Sequence, residues 1–122
     1  MNAIKGAIIA APSSLLVCIL FAYIFRIPIP MGGMIGPFGE FSSYCLSVAY
    51  VIRAVFIAWV FYGFVFGGLI IVSIFGAISG TIVGRKYSES TMKNRMIVIW
   101  SFIAGAIPVF LLSTLDYIIG PW

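Results

Sequence analysis

The run Ala54–Gly84, AVFIAWVFYGFVFGGLIIVSIFGAISGTIVG, contains no charged residue and lies between Arg53 and Arg85. Whether it forms one helix or two decides the fold. A membrane helix needs roughly 20 mainly apolar residues, at about 1.5 Å per residue through a hydrocarbon core about 30 Å thick. One helix over the whole run would be about 45 Å long, so it must tilt or project beyond the hydrocarbon. Two short spans over 43–84, turning near Gly67 and Gly68, would instead set Arg53 near mid-membrane, at roughly 2.5–3.5 kcal/mol on insertion scales. They would also need a turn made only of apolar residues. The single helix costs less, so the sequence predicts one span over 54–84.

The rest of the chain agrees with a bilayer as solvent. Of its 122 residues 63% are hydrophobic and 8% charged, where soluble domains are about one quarter charged. Two further runs qualify as spans: 6–27, stopped by Pro28 and Pro30, and 96–119, stopped by Gly120 and Pro121. The first run exceeds the usual roughly 7–15-residue signal-peptide core, and no A-x-A-like site follows it, so it reads as uncleaved. The expected fold is all-α, a single polytopic domain over 1–122 with three transmembrane helices. Four short spans are the alternative.

Charge orients the three-span arrangement. Lys5, Arg85, Lys86, Lys93 and Arg95, with Glu89 opposing, give one side a net +4, while Arg26 and Arg53 balance Glu40 and Asp116 on the other. Positive loops remain inside, which predicts a bacterial-type inner membrane protein with a cytoplasmic N-terminus and an outer C-terminus. The four-span arrangement satisfies the same rule, so charge alone does not choose between them. The basic loop RKYSESTMKNR, carrying Arg85, Lys86, Lys93 and Arg95, reads as a topology anchor beside anionic headgroups or as a contact for an acidic partner.

Between the first two spans, 28–53 combines turn residues with apolar ones. IPIPMGGMIGPFGEF, Ile27–Phe41, has three prolines and four glycines but almost no polar residue, unlike a loop in water. It reads as an interfacial loop whose Met31, Met34, Ile35, Phe38 and Phe41 dock a partner or the headgroup boundary. A short amphipathic helix from Glu40 to about Ile52 would follow, with Glu40, Ser43 and Ser47 on one face. The ten residues Ile27–Gly36, after an apolar helix, resemble the "PIP"-plus-glycine stretch of the holin-like CidA/LrgA membrane proteins, which implies a pore-forming role. Beyond them the chain departs from that family's pattern, because Glu40 and two serines stand where another long span would continue.

Helices in lipid associate through small residues that allow close backbone approach. Gly76, Gly80 and Gly84 form one such row, expected to face Ala7, Ala11 and Ser14 of the first span. Gly63 and Gly67 form a second pair on another face. Whether these rows pack within one chain or between copies stays open at this level. Pro108 should kink the third span.

Little reactive chemistry is present. There is no histidine, and Cys18 and Cys45 match no metal spacing, so no cofactor, metal or catalytic residue is assigned. Nucleophile-elbow and phosphate-loop motifs are absent. Asp116 is the one carboxylate near a span interior, and its expected role is an outer ion pair with Arg53. Phe56, Trp59, Phe61, Tyr62, Phe64 and Phe66 read as an interfacial belt, with a pigment, quinone or lipid-tail site as the sharper reading. The expected function is therefore non-catalytic: an accessory subunit of a larger membrane complex, or an immunity- or exclusion-type inhibitor of a membrane-active partner. The alternative is a homo-oligomeric channel or holin-like pore. Membrane lipid and a membrane protein, or further copies of the chain, are the partners; nucleic acid is not.

Overall fold

A computed structural model describes residues 1–119. The chain forms α1 (Asn2–Ile24), β1 (Ile27–Ile29), β2 (Gly33–Ile35), a 3-10 turn (Ser43–Cys45), α2 (Val48–Phe64), α3 (Gly68–Lys86) and α4 (Lys93–Ile119). Three of these helices, α1, α3 and α4, are long and apolar enough to cross a membrane. At 1.5 Å per residue they measure about 35, 29 and 41 Å. Their outward faces carry exposed Ile4, Ile8, Leu20, Ile74, Ile82 and Phe110, the surface that helices present to acyl chains. The expected stop at Gly120 and Pro121 lies outside the described residues.

The predicted single helix over 54–84 is broken, and this is the main correction to the sequence reading. Helix α2 ends at Phe64 and α3 begins at Gly68, with Gly67 between them at φ 68°. Only glycine takes that left-handed conformation without steric cost, so the Gly67-Gly68 pair supplies a sharp break that needs no polar residue. Gly63 completes the corner, since a Cβ there would lie 2.8 Å from the Leu69 side chain. The helix before the break also starts earlier than expected. Ser47 caps α2 by accepting the Tyr50 N–H at 3.3 Å, which draws Arg53 into the helix.

Helix directions settle how α1, α3 and α4 are threaded. A Cβ on Gly76 would lie 2.5 Å from that of Ala10, and Gly80 and Gly84 abut Asn2, so α1 and α3 are antiparallel. Gly105 abuts Ala10 while Asp116 reaches Arg26, so α1 and α4 are parallel. Parallel first and last helices are what three passes produce; four passes would set them antiparallel. Helix α2 is the additional element, packed against the core at one end of the bundle.

That end is closed by a hairpin where an interfacial loop was expected, and the amphipathic helix expected from Glu40 is replaced by the 3-10 turn Ser43–Cys45 and the start of α2 at Val48. Strands β1 and β2 pair antiparallel, with Ile27 opposite Ile35 and Ile29 opposite Gly33. Gly32 N–H donates to Ile29 O at 3.0 Å, closing a turn with Pro30 second and Met31 third. Proline second and a positive φ third is the type II pattern, and Met31 sits at φ 60°. The loop beyond is tied to α1: Phe38 N–H donates to Phe25 O at 3.2 Å, and Phe41 N–H to Met34 O at 3.0 Å. Ile27 and Ile35 then join Val17, Cys18, Ala22, Val51, Val55 and Val109 in one apolar core.

Candidate functional site

The site is built around Arg26, the second residue past α1. Phe25 leaves helical geometry, and this turns the Arg26 side chain inward between α1, α4 and the hairpin. Its Nε donates to Asp116 Oδ2 at 3.0 Å, and its Nη2 donates to the same oxygen at 2.6 Å and to the Asp116 carbonyl at 2.8 Å. Nη1 donates to Phe38 O at 3.3 Å, and the guanidinium carbon lies 5.4 Å from the centre of the Tyr117 ring. Arg26 is 8% exposed and Asp116 1%. A rigid guanidinium fork suits this task better than a lysine, because it satisfies several acceptors from one position.

The predicted Arg53–Asp116 pair is therefore corrected: Asp116 is bound by Arg26, and Arg53 is an exposed residue of α2. The signal for the right partner was the order of the helices. Arg26 and Asp116 each stand near the C-terminal end of a spanning helix, and parallel packing sets those ends side by side.

Small-residue packing is likewise shifted by a fraction of a turn. The Gly76–Gly80–Gly84 row does meet the first half of α1, but on the face of Asn2, Gly6 and Ala10 rather than Ala7 and Ala11. Gly6 carries that contact, since a side chain there would collide with the Gly76 backbone. Ser14 is buried farther along: its Oγ donates to Ala11 O at 2.6 Å and accepts the Trp59 indole N–H at 2.8 Å. Gly63 packs at the α2–α3 corner, and Gly67 is the break itself, where an added Cβ would meet nothing within 4 Å. On α4, Ser101, Ser113 and Asp116 share the buried face with Gly105, where a Cβ would sit 2.7 Å from Ala10 O.

The docking loop divides in two. Met31, Phe38 and Phe41 are exposed, whereas Met34 and Ile35 are 6% and 2% exposed and belong to the interior. The difference follows the hairpin: Met34 and Ile35 are consecutive residues of β2, both covered by the fold, whereas Met31 lies in the turn and Phe38 and Phe41 in the loop beyond. Arg85, Lys86 and Arg95 are exposed, and with Lys93 they lie at the end where α3 meets the start of α1.

Between the hairpin and the helices lies a cavity of about 880 Å³. Both halves of the broken middle segment line it, α2 from Val55 to Gly63 and α3 from Gly68 to Val72. Trp59, Phe61, Leu69, Val72, Val109 and Leu112 supply apolar wall, and Ser14, Tyr62, Glu40 and Asp116 supply polar wall. The aromatic band is thus split. Trp59, Phe61, Tyr62 and Phe66 line the cavity, while Phe56 and Phe64 are exposed and absent from its wall. That Asp116 shares a wall with these aromatics was not legible in the chain, because they are far apart in it and only the fold joins them.

No protein-family model, curated protein or solved structure matches this chain.

Proposed function

We propose that this is a small non-catalytic membrane protein that works by contact, as an accessory subunit of a larger membrane complex or an inhibitor of a membrane-active partner. The observation that carries the reading is the form of the hairpin end. A tip exposing Met31, Phe38 and Phe41 is bonded to α1 and held to α4 through the buried Arg26–Asp116 pair. A preorganised apolar surface loses little freedom on binding, which favours association over chemistry.

The protein sits in a bacterial-type cytoplasmic membrane, with the basic end cytoplasmic and the hairpin outside. The grouping of Lys5, Arg85, Lys86, Lys93 and Arg95 at the end opposite the hairpin supports this orientation. A homo-oligomeric pore is the competing reading, with the closely packed α1–α4 face against it.

Gentle detergent extraction at native expression, followed by sizing and identification of co-migrating chains, tests the proposal. A stoichiometric foreign membrane protein is expected, lost in Met31→Ser/Phe38→Ser while insertion stays normal. A homogeneous homo-oligomer with nothing else bound would overturn it in favour of the pore.

A further inference from the structure

The partner-docking reading leaves the cavity without a role. Its wall is mostly apolar, and Met31, Phe61, Phe66 and Ile71 both line it and stand exposed on the outside of the fold. The cavity thus runs into the surface that the helices present to acyl chains. Apolar space of about 880 Å³ does not hold water well, and left empty it would forfeit the contacts of its lining. In a bilayer the molecule that meets such an opening is a lipid.

Depth and charge match one leaflet. On α1 the wall starts at Ser14 and continues into the hairpin beyond Ile24, a rise of about 15 Å, half of a hydrocarbon core about 30 Å thick. Ser14, at the deep end, has its hydroxyl engaged by Ala11 and Trp59. The charged groups of the wall lie at the hairpin end. Asp116 is covered and its charge is taken by Arg26. Glu40 is exposed and has no ion-pair partner among the described residues. Its carboxylate rests on β2, where a Cβ on Gly33 would lie 2.6 Å from Oε2. One uncompensated negative charge therefore stands at headgroup level, where it attracts an ammonium and repels an anionic head.

We infer that the cavity holds one acyl chain of a phospholipid from the leaflet on the hairpin side, with an ammonium-bearing ethanolamine headgroup beside Glu40 and the chain running past Trp59 toward Ser14. The site rests on the bilayer placement and not on whether the exposed tip docks a protein.

The Trp59 indole, bonded to Ser14 Oγ at 2.8 Å, sits at mid-chain depth and reports on occupancy. Trp100→Phe and Trp122→Phe remove the other indoles. The protein is placed in nanodiscs of phosphatidylethanolamine and phosphatidylglycerol in varied ratio, with one of the two carrying 9,10-dibromostearoyl chains. Brominated phosphatidylethanolamine is expected to reach half of its full quenching at about one part in six, and brominated phosphatidylglycerol only at about five parts in six. That offset corresponds to a roughly fivefold preference, which one exposed charge pair can supply. Glu40→Gln should bring the two curves together and leave full quenching unchanged. Ala58→Phe, which fills the cavity from α2, should lower full quenching and remove the offset. Leu69→Phe/Leu112→Phe fills it from two partly buried positions and replaces Ala58→Phe if that variant does not melt cooperatively. Coincident curves in the parent, an offset favouring phosphatidylglycerol, an offset that survives Glu40→Gln, or full quenching unchanged in the filled variant would overturn the proposal.

Discussion

Removing either member of the Arg26–Asp116 pair leaves the other charge buried without its counterion, so the two single variants should behave alike. Arg26→Gln or Asp116→Asn is expected to lower stability by about 3–5 kcal/mol, whereas replacing both by leucine should recover much of that loss. Thermal unfolding in detergent checks this. Single variants as stable as the parent would mean that the pair does not hold the hairpin end together. The contrast matters because a buried ion pair is poor evidence of net stability, although breaking it is costly. At this scale the sequence was partly legible. It showed that Asp116 needs an arginine at the same end of the bundle. It offered two candidates without the packing geometry that separates them, since Arg53 and Arg26 differ in burial and not in residue type.

Among the elements, the break between α2 and α3 was the least legible. Continuous hydrophobicity gives no boundary, and in lipid an apolar turn does not attract the polar residues that mark turns in water. Gly67-Gly68 was the only signal, and glycine inside a membrane helix more often marks close packing. The two roles are separable by substitution. Gly67→Ala strains a left-handed residue without a clash at its Cβ and is expected to cost about 1 kcal/mol. Gly6→Leu inserts a side chain into the Gly76 backbone, so it should separate α1 from α3 and abolish cooperative unfolding. Circular dichroism melts of the two variants decide this, and equal effects would remove the distinction drawn between hinge and packing glycines. The hairpin was concealed for a related reason. Its prolines argued against strands, yet in a two-stranded pair Pro28 can turn its missing donor to the unpaired side.

For the molecule as a whole, three spanning helices were legible from apolar length and from the charges that bound them, because those features depend on the bilayer and hardly at all on packing. The cavity was not, because it arises from elements that are distant in sequence and meet only in the fold. Orientation has its own test in the native cysteines: Cys45 is exposed at the hairpin end and Cys18 is buried. With intact cells, a membrane-impermeant maleimide is expected to label Cys45 and spare Cys18. Labelling of Cys45 only after the membrane is opened would reverse the assignment of sides. The parallel pairing of α1 and α4 also bears on biogenesis. Arg26 and Asp116 are 90 positions apart in the chain, so during synthesis Arg26 emerges long before the carboxylate that neutralises it. Until α4 is made, a nascent chain holds an unmatched cation at the mouth of its first helix. Closure of the hairpin end is thus deferred to the last step of assembly, and a chain stalled before Asp116 would present an open, protease-sensitive hairpin to quality control.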